Sequence, residues 1–131
     1  NKWISKKGNL FMTILFSISK KLSLKSITNL NLMIVRKVIK KKINAKVNIK
    51  PPNDILINKK KICGILQEKI QNNEVNYLIV GVGLNLIKNP KIKDYQTTNL
   101  FNLTKKKINV KKVCINLKYI YENFLRSQKV Y

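Results

Sequence analysis

A chain of 131 residues has room for one compact domain, and 44% hydrophobic residues are enough for a folded core. The sequence carries no His, and Cys63 and Cys114 stand far apart without a second Cys beside either, so Cys/His zinc sites and Cys–His nucleophiles are excluded. A formal charge of +23, from 28 basic against 5 acidic residues, points first at nucleic acid or an anionic membrane; yet only Arg36 and Arg126 offer a planar guanidinium, and no helix-turn-helix, zinc or aromatic-rich single-strand motif accompanies the lysines.

Read in chain order, residues 9–16 form a continuous apolar run of the length expected for a central strand buried on both faces. The apolar stretch over residues 10–18 is far shorter than the ~20 residues of a membrane helix and lacks a signal-peptide cleavage pattern. Between residues 23 and 42, Leu24, Ile27, Leu30, Ile34, Val38 and Ile39 recur at three- and four-residue spacings, which predicts an amphipathic helix with lysines toward its C-terminal end. Val47 and Ile49 alternate with polar residues until Pro51 and Pro52 end the strand. Residues 55–57 and 62–70 read as strands joined by the turn Asn58, Lys59, Lys60; a second turn at Asn72 and Asn73 leads into a strand over residues 77–86. A loop over residues 88–98 follows, and then a helix with Val113, Leu117, Ile120, Tyr121, Phe124 and Leu125 on one stripe. The fold class is α+β, a mixed but largely antiparallel sheet with helices packed on it. The chain starts at Asn1 and enters an apolar run almost at once, so it is expected to begin inside a larger domain.

Two stretches combine charge-binding groups with punctuation that the fold does not require. The first is Lys50-Pro51-Pro52-Asn53-Asp54, followed by Lys61-Ile62-Cys63-Gly64-Ile65-Leu66. Asn and Asp between strands have an ordinary use in turns, but Gly64 inside a strand weakens it unless a ligand or another backbone approaches closely. In a regular strand Lys61 and Gly64 would face opposite ways, so both can address one ligand only through a twist, a bulge or a backbone contact at Gly64. The second stretch is Gly81-Val82-Gly83-Leu84-Asn85. It is not a dinucleotide fingerprint, because Leu86 replaces the third glycine and no helix opens there. Glycines spaced by two leave a flat floor for a planar ligand, with Asn85 on the same face; close sheet-to-helix packing would use the same spacing.

Together these motifs resemble the biotin protein ligase family, whose catalytic domain carries Lys-Trp-Pro-Asn-Asp, then Lys-x-x-Gly-Ile-Leu, then Gly-x-Gly-x-Asn in this order. Trp3, Ser5, Gly8, Asn9 and Leu10 match the family's earlier Trp-x-Ser…Gly-Asn-Leu, and residues 97–100 resemble its later Thr-Ser-Leu. The resemblance implies a class II synthetase-like biotin/lipoate ligase domain over residues 1–131, incomplete at its N-terminus. It implies an enzyme that activates biotin with ATP and Mg²⁺ to biotinyl-5′-AMP and passes biotin to a lysine of a biotin carboxyl carrier protein. Lys61 would contact the biotin carboxylate and the phosphate, Gly64, Ile65, Leu66, Gly81 and Gly83 would line the biotin pocket with Phe11, Asn9 and Asn85 would face the adenylate, and Trp3 would wall the site. Lys50, Pro52, Asn53 and Asp54 would form the structural motif beside it, with Pro51 standing where the family has Trp. The family's Gly-Arg-rich loop would lie before Trp3, and neither the DNA-binding extension of some relatives nor their small C-terminal β-barrel is expected here. The expected location is the cytoplasm, nucleic acid and membrane are not expected partners, and a homodimer is an association state the resemblance allows. A lipoate or octanoyl transferase is the nearest alternative enzyme, and a basic nucleic-acid-binding module is the alternative outside enzymes.

Overall fold

The structure, a computed structural model, describes residues 7–19 and 21–127. Trp3 and Ser5 lie outside the described residues. Among the described residues five strands form one sheet in the order β1-β5-β4-β3-β2: β1 Leu10–Ile18, β2 Val47–Lys50, β3 Asp54–Ile57, β4 Lys60–Gln71 and β5 Asn76–Leu84. Every pair of neighbours is antiparallel, and among the described residues the mixed character is confined to one parallel bridge between Lys61 and Thr97. The β2-to-β5 meander follows from short polar turns. Asn58 and Lys59 both have positive φ, as a two-residue hairpin turn with the twist of its flanking strands requires.

Helix α1, Leu24–Lys40, starts where the Ser23 hydroxyl accepts from the Ser26 N–H. With α3, Val110–Ser127, it packs on one face of the sheet. Ile27, Val35, Val38 and Ile39 of α1 and Val113 and Leu117 of α3 meet Ile65, Leu78, Val80, Val82 and Leu84 in one buried cluster. At a typical ~25 cal/mol per Å² of buried apolar surface, this layer is the main stabilising term. A polar chain crosses it: Tyr121 donates to Asn31 Oδ1 at 2.9 Å, Asn31 donates to Gln67, and Gln67 to Thr28.

One sequence expectation is corrected, and one element is added that the sequence did not signal. β1 is the edge of the described sheet, paired only with β5 among the described residues, and Phe11 and Leu15 are 42% and 62% exposed. An unbroken apolar run reads the same whether one face or both is covered, and here α3 covers only the face of Met12, Ile14 and Phe16. A five-residue helix α2, Leu100–Thr104, follows the long loop; Asn99 caps it and Lys105 ends it in the left-handed region.

Candidate active site

The face of the sheet away from α1 and α3 carries the cavity. Cross-strand register sets Phe11, Gly83, Gly64 and Asp54 side by side on neighbouring strands, and one step along it sets Thr13, Gly81 and Leu66 side by side. Gly64 and Gly83 therefore make a floor two strands wide, edged by the half-exposed Phe11 and Leu66.

Lys61 reaches that face through a β-bulge. Asp54 pairs with Gly64 and Ile55 with Cys63, but Leu56 pairs with Lys61, so Ile62 is an extra residue in β4. The bulge shifts the alternation by one, which puts Lys61 on the same face as Gly64 while Cys63 and Ile65 stay with the core. Beyond Asn85, whose N–H still donates to Ile62 O at 2.9 Å, the chain leaves β4, and residues 96–98 take its place beside Lys61. The Lys61 N–H donates to Gln96 O and its carbonyl accepts from the Thr98 N–H, both at 2.9 Å.

The Lys61 ammonium lies 3.1 Å from Asp54 Oδ1, with both side chains about a quarter exposed, and 5.3 Å from the centre of the Tyr95 ring. Asp54 is placed by the turn through the cis Pro51–Pro52 peptide, whose Asn53 carbonyl accepts from the Ile65 N–H at 2.9 Å. Around these groups lies a cavity of about 530 Å³, within the usual size of small-molecule sites. Asn53, Asp54, Lys61, Gly64, Ile65, Leu66, Gly83 and Asn85 line it, together with residues 90–95 and Thr97 of the loop.

Eight of the expected residues thus converge. Gly81 lies one cross-strand step beyond the lining, where an added Cβ would sit 3.9 Å from Leu66, an ordinary contact. Lys50 pairs with Asp54 at the end of β2 and, like Pro52, is exposed and outside the lining. Asn9 is buried and spends its side chain on the loop: its oxygen accepts from the N–H groups of Leu86, Ile87 and Lys88, and its amide donates to Lys88 O at 2.8 Å. Asn85 donates to Thr98 O at 3.1 Å and accepts from Asn9 at 3.4 Å. Sequence reasoning missed the loop wall, Tyr95 above all. Its only signal was the length of the segment, since long loops in compact domains tend to be functional. Cys63 also borders the cavity. Burial pushes its thiol well above the ordinary 9.0, the Lys61 ammonium opposes that rise and the Asp54 carboxylate adds to it, so the thiol is not a nucleophile here.

The site is thus an antiparallel sheet backed by two helices, with a glycine floor and a paired lysine on its open face. Residues 1–85 match the Biotin/lipoate A/B protein ligase family, and the chain belongs to that family. Among solved structures, biotin protein ligase from Aquifex aeolicus in complex with biotin and ATP is similar at a TM-score of 0.78 and 26% identity, over 99% of this chain and 56% of that one. The biotin protein ligase from Leishmania major in complex with biotin gives 0.72 and 25%, over 90% and 54%. A bipartite lipoate protein ligase from Thermoplasma acidophilum shares the fold at 0.69 and 13%, over 92% and 52%. The chain spans about half the length of these solved relatives. No curated protein matches it in sequence at a significant level.

Proposed function

We propose that the chain carries the biotin- and ATP-binding face of a biotin protein ligase, forming biotinyl-5′-AMP and passing biotin to a lysine of a biotin carboxyl carrier protein. The observation that carries this reading is Lys61, turned by the Ile62 bulge to the edge of the Gly64–Gly83 floor and paired there with Asp54. Joining a carboxylate to the α-phosphate of ATP brings two anions together, and a preorganised ammonium offsets their repulsion as charge builds in the transition state. An ammonium has three donors; with one directed at Asp54, donors remain for carboxylate and phosphate oxygens. The flat floor suits the fused rings of biotin. Transfer needs no enzyme nucleophile, because the acceptor amine attacks the mixed anhydride itself, and this agrees with the lack of His and the inert Cys63.

Mg²⁺ would enter with the nucleotide. No group of three His, Cys, Asp or Glu side chains is gathered among the described residues, and a Mg²⁺ held mainly by substrate phosphates with one or two carboxylates needs none. Asp94 is the cavity carboxylate besides the Lys61-paired Asp54; together they would hold the ion, which supplies neutralisation of phosphate charge. No helix among the described residues is long and apolar enough to cross a membrane.

The test is pyrophosphate release with biotin and ATP. Lys61→Ala should lower the rate by about 10²–10³, the cost of removing one preorganised transition-state donor, whereas Lys59→Ala and Lys60→Ala should change it less than about twofold. Equal effects at all three positions would remove Lys61 from the mechanism. Faster turnover with lipoate or octanoate than with biotin would move the chain to the lipoate branch of its family.

A further inference from the structure

Lys61 is held on several sides by the loop that walls the cavity. Its backbone N–H and carbonyl both bond to residues 96–98, and its ammonium faces the Tyr95 ring one residue earlier. That loop is fixed by side-chain cross-links at its base: Thr97 donates to Pro90 O at 2.5 Å and accepts from Asn89 at 2.6 Å, and Asn99 donates to Asn89 at 2.6 Å. Core packing does not account for Tyr95, which is 43% exposed.

Asp54 by itself is a poor anchor. A partly exposed ion pair is worth little and leaves the ammonium free to swing, and its negative charge works against the approach of a carboxylate and a phosphate. An aromatic face attracts the cation through its quadrupole and adds no net charge. We propose that Tyr95 is a positioning residue: its ring, presented by the cross-linked 89–99 loop, fixes the Lys61 ammonium at the cavity wall without cancelling the charge that anionic substrates meet. The consequence for catalysis rests on the ligase reading; the Tyr95–Lys61 coupling does not.

The two parts separate in one set of variants. Trace acetic anhydride acylates a lysine only through its free amine, so the rate of Lys61 acetylation, read by peptide mass spectrometry against Lys59 and Lys60, reports how firmly its surroundings hold the ammonium. Tyr95→Leu keeps apolar cover but loses the ring, and should speed Lys61 acetylation about 2- to 5-fold, the range that cation–π energies at exposed sites imply. Lys59 and Lys60 should not change, and Tyr95→Phe should stay within about twofold of the parent. Tyr95→Leu should lower kcat for pyrophosphate release in the same proportion with KM for ATP little moved, and Tyr95→Phe should restore it. Unchanged Lys61 acetylation in Tyr95→Leu, or a Tyr95→Phe variant as altered as Tyr95→Leu, would overturn the proposal. Acetylation that follows the ring in a protein whose pyrophosphate release ignores Lys61→Ala would uphold the positioning and overturn the ligase reading.

Discussion

Replacing Asn9 by Ala tests whether that residue serves the ligand or the fold. Its oxygen accepts three backbone N–H groups at 3.0, 3.0 and 3.1 Å, and its amide donates to Lys88 O at 2.8 Å, all from a residue only 7% exposed. At a net ~0.5–1.5 kcal/mol per bond, four bonds sum to about 2–6 kcal/mol. Water can reach part of the 87–88 backbone once the side chain is gone, which brings the expected loss to about 2–4 kcal/mol. With a urea m-value of about 2 kcal/mol per M, the unfolding midpoint should fall by about 1–2 M. Asn9→Asp keeps the three acceptances and loses the donations, so it should recover about half of that. A ligand-facing Asn9 makes the opposite forecast, weaker adenylate binding at unchanged stability. A midpoint shift worth less than about 0.5 kcal/mol in Asn9→Ala would refute the structural role.

Gly8 sits at φ +95 with its Cβ position 2.1 Å from the tip of Ile87. Ile87 can rotate away but the backbone cannot, so Gly8→Ala should cost about 1–3 kcal/mol, seen as a lower Tm. Burial raises the Tyr121 phenol above its ordinary 10.0, with Cys63 adding to the rise, and raises the Cys63 thiol above 9.0. Both groups keep their protons in the folded chain where the unfolded chain releases them. Stability present below about pH 9 should therefore fall as the pH climbs past it, and urea midpoints across that range should fall less steeply in Tyr121→Phe and Cys63→Val.

The sequence carried the helices and the meander because their signals are local. Periodic Ile and Val over α1 and the stripe of Val113, Leu117 and Tyr121 on α3 need a covering face and little else. The candidate site was legible in part for the same reason: Gly64, Gly81, Gly83 and Lys61 break strand rules on the spot, and the conflict between the alternation of Lys61 and Gly64 left a twist, a bulge or a backbone contact open, of which the structure shows the bulge at Ile62. The edge position of β1 was not legible, since apolar content does not report how many faces are covered. Nor was the place of Tyr95, because a ring in a loop meets Lys61 only after residues 96–98 replace β5 beside β4. Asn9 was placed at the adenylate by the family resemblance alone, and nothing in the local sequence signals that the N–H groups it accepts from lie 77 residues or more further on.

The extra residue in β4 also constrains how this hairpin can vary in length. Residues gained or lost at the Asn58–Lys59 tip only lengthen or shorten an exposed turn. Deleting Ile62 would leave a smoother ladder with Lys61 still opposite Leu56 on the open face but would remove a fully buried core side chain, whereas keeping Ile62 and pairing it with Leu56 would set Lys61 opposite Ile57 and carry a cation into the apolar layer. Natural insertions and deletions among homologues should therefore gather at the tip and spare residues 61–64, a pattern of gaps set by the parity of the strand together with the buried side chain of Ile62.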